Sequence, residues 1–153
     1  MSTTYQAPIG LLIAISWLVC ASPSRAAEPI AAGAITRVPT VVYHIDDSHR
    51  AISMIRNLGN HRRADTKVKL VVVALGAGVD FLLAGAADEH GNTYDALVDP
   101  LMLEGVEFRV CGNTLRGRGI QASKLIPDVS VVPAGVAEIA RLQLEEGAAY
   151  IKP

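Results

Sequence analysis

The chain has 153 residues, of which 50% are hydrophobic and 19% charged. That balance supplies a packed core for about one domain and excludes a disordered chain. The formal net charge is −1, and the basic residues gather in nothing larger than Arg62-Arg63 and Arg116-Gly117-Arg118. No electrostatic footprint for nucleic acid is present, so nucleic-acid binding is set aside.

The first 26 residues differ from the rest. Ile9 to Cys20 (IGLLIAISWLVC) is an uncharged apolar run, too short to span a bilayer comfortably. Small residues follow at Ser24 and Ala26, the layout of a secretory signal peptide cleaved after Ala26, although MSTTYQAP carries no Lys or Arg. An uncleaved anchor and a cytosolic segment are the alternative readings. Cleavage leaves a periplasmic or secreted protein with no stable membrane insertion. It also removes Cys20, one of two cysteines, so that Cys111 becomes an unpaired thiol in an oxidising compartment. Residues 27–38, which contain Ala, Gly and Pro with no clear periodicity, read as a linker, and 39–153 as the domain.

From Thr40 to Asp46, TVVYHID is a strand pattern of β-branched and aromatic residues. A helix follows from Ser48, its expected N-cap, with Ala51, Ile52, Ile55 and Leu58 on one face. Lys67 to Leu75 is a strand apolar enough to be covered on both sides. GAGVDFLLAGAA predicts a tight turn and a short helix, and TYDALVDPLMLEG a helix broken at Pro100. VEFRV forms a third strand ending at Cys111, NTLRGRG a short helix, and QASKLIPD a helical turn. VSVVP is a fourth strand, AGVAEIARLQLEEG a helix with Val136, Ile139, Ala140 and Leu142 inward, and AYIKP a closing strand. Strands alternating with helices through short connections predict an α/β fold, a mainly parallel sheet of about five strands with helices on both faces.

Such sheets bind ligands at the carboxyl ends of their strands. HIDD, GAGVD, CGNT and PAGVAE meet there, so Cys111 stands at the edge where sites form. It also stands at a helix start, where free N–H groups favour a thiolate. Gly112 permits a sharp turn, Asn113 and Thr114 offer hydrogen bonds, and Arg116 or Arg118 adds positive potential. The competing reading makes Cys111 an inert, buried hydrophobe. Gly76 and Gly78 resemble a phosphate-cradling turn without the Walker lysine or the dinucleotide pattern, and also fit a plain strand-to-helix turn. Asp46, Asp47 and Asp80 are edge carboxylates that also fit as caps. No histidine pair has metal-ligand spacing, no G-x-S-x-G occurs, and neither metal nor cofactor is expected.

TVVYHIDD, VVVALGAGVDFLL, GVEFRVCGNTLRGRGI and VPAGVAEIARLQLEEGAAYIKP, in that order, resemble the DsrE/DsrF-like family over almost all of the chain after residue 38. The resemblance implies a three-layer α/β/α sandwich that forms homo-oligomers. It further implies sulfur held as a persulfide on a cysteine matching Cys111 and passed between donor and acceptor proteins. Some relatives carry a histidine after the second strand, where this chain has Leu75. The expected site is therefore Cys111 as nucleophile, with Gly76, Gly78, Gly112, Asn113 and Arg116 binding substrate. The rival is an oligomeric binding or assembly module whose cysteine is inert. The carrier reading expects the sulfur open to solvent at the sheet rim.

Overall fold

The computed structural model describes residues 1–4 and 37–153. The expected leader beyond its first four residues, Cys20, and the linker up to residue 36 lie outside the described residues. Five strands form one sheet: β1 Thr40–Ile45, β2 Lys69–Ala74, β3 Glu107–Cys111, β4 Ser130–Val132 and β5 Ala149–Ile151. Their order is β4-β3-β2-β1-β5, and every neighbouring pair is parallel. Central β2 is the most apolar strand, and Leu70 to Ala74 are fully buried, because both of its faces are covered. The edge strands β4 and β5 span three residues each, which limits the backbone they leave unpaired.

The chain steps from β1 to β4 in one direction across the sheet. Right-handed crossovers then put α1 (Ala51–Ala64), α2 (Asp95–Leu103) and α3 (Gly112–Arg118) on one side. Their Met54, Leu58, Val98 and Leu115 pack with Tyr43, Val72, Phe108 and Val110 in the larger core. The return from β4 to β5 crosses the whole sheet and leaves α4 (Gly135–Glu145) alone on the other side. There Ile139 and Leu142 cover Val42, Val71 and Val73. The result is the expected three-layer α/β/α sandwich.

Several local expectations are corrected. Asp47, not Ser48, caps the turn before α1, its carboxylate accepting from the His49 N–H at 3.0 Å. Met54 takes the centre of the buried α1 face, with Ile52 and Ile55 at its margin. Pro100 does not break α2. Its ring and Ala96, whose carbonyl loses an N–H partner, are both exposed, so that carbonyl is open to solvent. The segment Gly76–Leu82 is a 3-10 helix rather than an α-helix. Finally, α4 buries Gly135, Ile139 and Leu142, whereas Val136 is 68% exposed and Ala140 also faces outward. The rotation of α4 is set at its first residue, where Gly135 lies against Cys111 and Leu75.

Candidate functional site

Cys111 is the last residue of β3, and α3 begins at the next residue without a loop. Two glycines make that junction. A side chain at Gly112 would start 3.0 Å from the Val132 carbonyl oxygen and 3.4 Å from that of Pro133. Glycine lets the connection from β4 to α4 pass this close without displacement. At Gly135 an added carbon would lie 3.1 Å from Cys111 Cβ and 3.1 Å from Leu75 Cδ2. The first residue of α4 is thereby brought directly over the thiol. Ala134, the N-cap of α4, supplies no side-chain hydrogen bond, which leaves the first N–H groups of that helix for another partner.

Burial pushes the Cys111 thiol up, but donors around the sulfur outweigh it. These are the Gly135 N–H, the Thr114 hydroxyl, and the N–H groups of Thr114 and Asn113, which lie near enough to hold the thiol below its ordinary value, although the Cys111 side chain makes no capping hydrogen bond to α3. Donors near a sulfur favour the thiolate over the thiol. The expectation of a sulfur open to solvent is corrected: Cys111 is only 7% exposed, with Gly135 packed against it and Leu75 lining the same junction. It is not, however, packed solely among aliphatic side chains.

The other expected site residues fall into two groups. Asn113 and Arg116 are exposed on α3 and pair with each other, the guanidinium donating to Asn113 Oδ1. The Arg116 guanidinium also lies 3.3 Å from the position of a Gly112 side chain, beside the thiol-bearing junction. Gly76 and Gly78 shape the turn after β2. Gly76 has φ +57°, donates its N–H to Thr114 Oγ1 at 3.0 Å, and accepts from Arg118 Nη1 at 3.1 Å. Gly78 is buried, and a carbon added there would meet the Ile45 carbonyl oxygen at 2.4 Å. The edge carboxylates have structural partners: Asp46 with Lys152 at 2.6 Å, Asp47 as a cap, and Asp80 with Arg118 at 2.6 Å. Gly135 and the pairing of Thr114 with Gly76 escaped the sequence reading. A glycine following Val-Pro at a helix start was the available signal for the first. Nothing local marks the second.

A cleft of about 420 Å³ opens on the α1 and α2 side. Ser48, His49, Ile52, Asp80, Phe81 and Tyr94 are among its lining residues, and Cys111 is not. Of these residues, Asp80 alone ties the cleft to the cysteine, through its pairing with Arg118. Among the described residues no three His, Cys, Asp or Glu side chains come together as a metal site, and no helix is long and apolar enough to cross a membrane.

The fold and the sequence both have counterparts. A structure of MTH1491 from Methanobacterium thermoautotrophicum, titled a protein of unknown function, is 38% identical. It superimposes with a TM-score of 0.67, the alignment covering 75% of this chain and 99% of that one. The ychN protein of E. coli shares the fold at 18% identity and a TM-score of 0.62, over 76% of this chain and 99% of its own. BT1422 from Bacteroides thetaiotaomicron does so at 14% and 0.53, over 74% and 94%. A comparison with curated proteins returned no match. Residues 42–153 match the DsrE/DsrF-like family, and with the 38% identity to MTH1491 over nearly its full length this places the chain in that family.

Proposed function

We propose that the protein carries sulfane sulfur as a persulfide on Cys111. One observation bears most of the weight: Cys111 ends β3 at the carboxyl edge of the sheet, directly before α3, and its thiol is held below its ordinary value. The Cys111 thiolate attacks the terminal sulfur of a polysulfide. A new S–S bond forms at Cys111, the donor's S–S bond breaks, and a shorter polysulfide anion leaves with the electron pair. Attack by an acceptor thiolate on the outer sulfur then returns Cys111 to its starting state, with no outside oxidant or reductant. The family resemblance, which includes sulfur-relay members, supports the same reading. So does the presence of a single cysteine in residues 37–153. A carrier needs one thiol, whereas a dithiol oxidoreductase needs a resolving partner. Removal of the leader 1–26 would leave no second thiol in the chain to compete for the sulfur.

The burial of Cys111 at 7% exposure favours a second reading, an oligomeric assembly module with an inert thiol. Intact mass after incubation with polysulfide separates the two. A carrier gains about 32 Da per sulfur, and the gain disappears in Cys111→Ser. An unmodified protein, or an adduct that persists when Cys111→Ser is made in a Cys20→Ser background, rules the carrier out.

A further inference from the structure

The geometry points to the cleft on the α1 and α2 side as a binding site for a small organic amine, with its apolar body on the floor and its ammonium group at the rim. Cys111 does not line this cleft, so the assignment stands or falls apart from the sulfur chemistry. The cleft holds about 420 Å³, within the range of about 300 to 1,000 Å³ that small-molecule sites occupy. It also opens where parallel sheets form their sites, beside the carboxyl ends of β1 and β2. Ser48 and His49 stand in the turn that follows β1, and Asp80 and Phe81 in the 3-10 segment that follows β2. Gly78 lets that segment lie against the Ile45 carbonyl, which keeps the two turns together. The third wall is the loop from Ala86 to His90. Ala87 bridges to Thr93, the Tyr94 N–H reaches the Ala86 carbonyl at 2.8 Å, and Asp88 accepts from the N–H groups of His90 and Asn92 at 2.9 Å.

The lining selects a ligand by charge as well as by shape. Its buried part is apolar: Ile52 is half-buried, and buried Phe81 and Tyr94 meet edge to face with ring centroids 5.8 Å apart. Such a floor takes a hydrocarbon or aromatic body, and an aromatic wall also attracts a cation. The rim is acidic. Asp80 is neutralised by Arg118 at 2.6 Å, but Asp88 and Glu89 form no ion pair among the described residues. No lysine or arginine lines the cleft, and its only basic groups are the imidazoles of His49 and His90. A concave surface of one sign concentrates the opposite charge, so an anionic ligand is disfavoured. A bare metal ion is disfavoured too, since among the described residues no three of these carboxylates and imidazoles gather around one point. An ammonium group on an apolar body satisfies both the rim and the floor.

The test titrates phenethylamine into the full chain at matched pH, with binding followed by NMR at the imidazole protons of His49 and His90. Saturable binding is expected. Phenethyl alcohol, the neutral isostere, is expected to bind about fivefold more weakly, the difference that one partly exposed ion pair makes, and phenylacetate more weakly still. Glu89→Gln removes a rim charge from an exposed side chain and is expected to weaken phenethylamine about threefold while leaving phenethyl alcohol unchanged. Ala87→Trp sets a large side chain at an exposed position of the lining and is expected to abolish binding of both compounds. Ser48→Trp carries the same expectation from the β1 side and decides the matter if circular dichroism shows Ala87→Trp unfolded. Three results overturn the assignment. They are the absence of saturable binding, an alcohol or carboxylate that binds as tightly as the amine, and an amine affinity unmoved by Glu89→Gln or by the folded tryptophan variant.

Discussion

Gly135 and Cys111 stand so close that a side-chain carbon at Gly135 would lie 3.1 Å from the Cys111 Cβ. The start of α4 packs directly against the cysteine because no side chain intervenes. Gly135→Ala is expected to move α4 outward by a few tenths of an ångström and to raise the midpoint of Cys111 alkylation. Stability should change by less than about 1 kcal/mol, since the helical preference of alanine offsets the crowding. Denaturant unfolding and the alkylation profile check the two halves of this expectation separately.

Gly78 differs, because its neighbour is backbone. An added carbon would lie 2.4 Å from the Ile45 carbonyl oxygen and 2.8 Å from Asp46 Cα. Neither atom can yield without unpairing β1 from β2. Gly78→Ala is expected to cost about 3 kcal/mol or more and to lower the denaturation midpoint sharply.

The α4 side of the sheet carries a chain of ion pairs. Arg109 on β3 joins Glu107 and Glu138, and Glu138 also holds Arg141 at 2.9 Å. The guanidinium of Arg141 and then that of Arg109 hold the Glu138 carboxyl below its ordinary 4.5. A carboxylate depressed in the folded state contributes stability that is fully present above the unfolded value. That contribution is lost as pH falls through the folded one. Thermal melts between about pH 3 and pH 7 are expected to show a falling limb below about 4.5, and Glu138→Gln to flatten it. An unchanged limb in the variant would show that other carboxylates carry the acid sensitivity.

The cover over Cys111 should sort reagents by size. At 7% exposure, a compact reagent such as iodoacetamide is expected to reach the sulfur much faster than a bulky dye-linked maleimide, relative to free cysteine. Leu75→Ala removes the side chain that closes over the junction and is expected to narrow the gap. Equal selectivity in parent and variant would place the barrier elsewhere.

Val136 and Leu144 lie on the outward side of α4 at 68% and 83% exposure, and Leu103 ends α2 at 90%. The homo-oligomer expected from the family resemblance has these residues to bury. Leu144→Glu is expected to leave the fold within about 0.5 kcal/mol of the parent and to shift sedimentation toward a smaller species. A parent that sediments as a monomer would defeat the expectation at once.

The strands were legible where their composition was extreme. Lys69–Ala74 and Thr40–Ile45 announce themselves through unbroken β-branched and apolar residues. The position of Cys111 at the end of β3 was legible for the same reason, since VEFRV ends where polar residues begin. The rotation of α4 was not. Its apolar positions fit more than one stripe, and the choice between burying Val136 and burying Gly135 depends on a neighbour 24 residues earlier in the chain. The cover over the thiol escaped for the same reason. Nothing near Cys111 in the sequence announces that Leu75 and Gly135 close over it.

By itself, the order of residues determined the alternation of strands and helices, the parallel sheet, and the placing of one cysteine at its carboxyl edge. Each of these follows from periodicity and punctuation within a dozen or so neighbouring residues. Only the tertiary structure decided what surrounds that cysteine: Gly135 packed against it, Thr114 one turn on with its hydroxyl oxygen taken by the Gly76 N–H, and the small remaining exposure. Those contacts join segments from three separate crossovers. Their geometry comes from how closely the glycines let backbones approach, which no local pattern records.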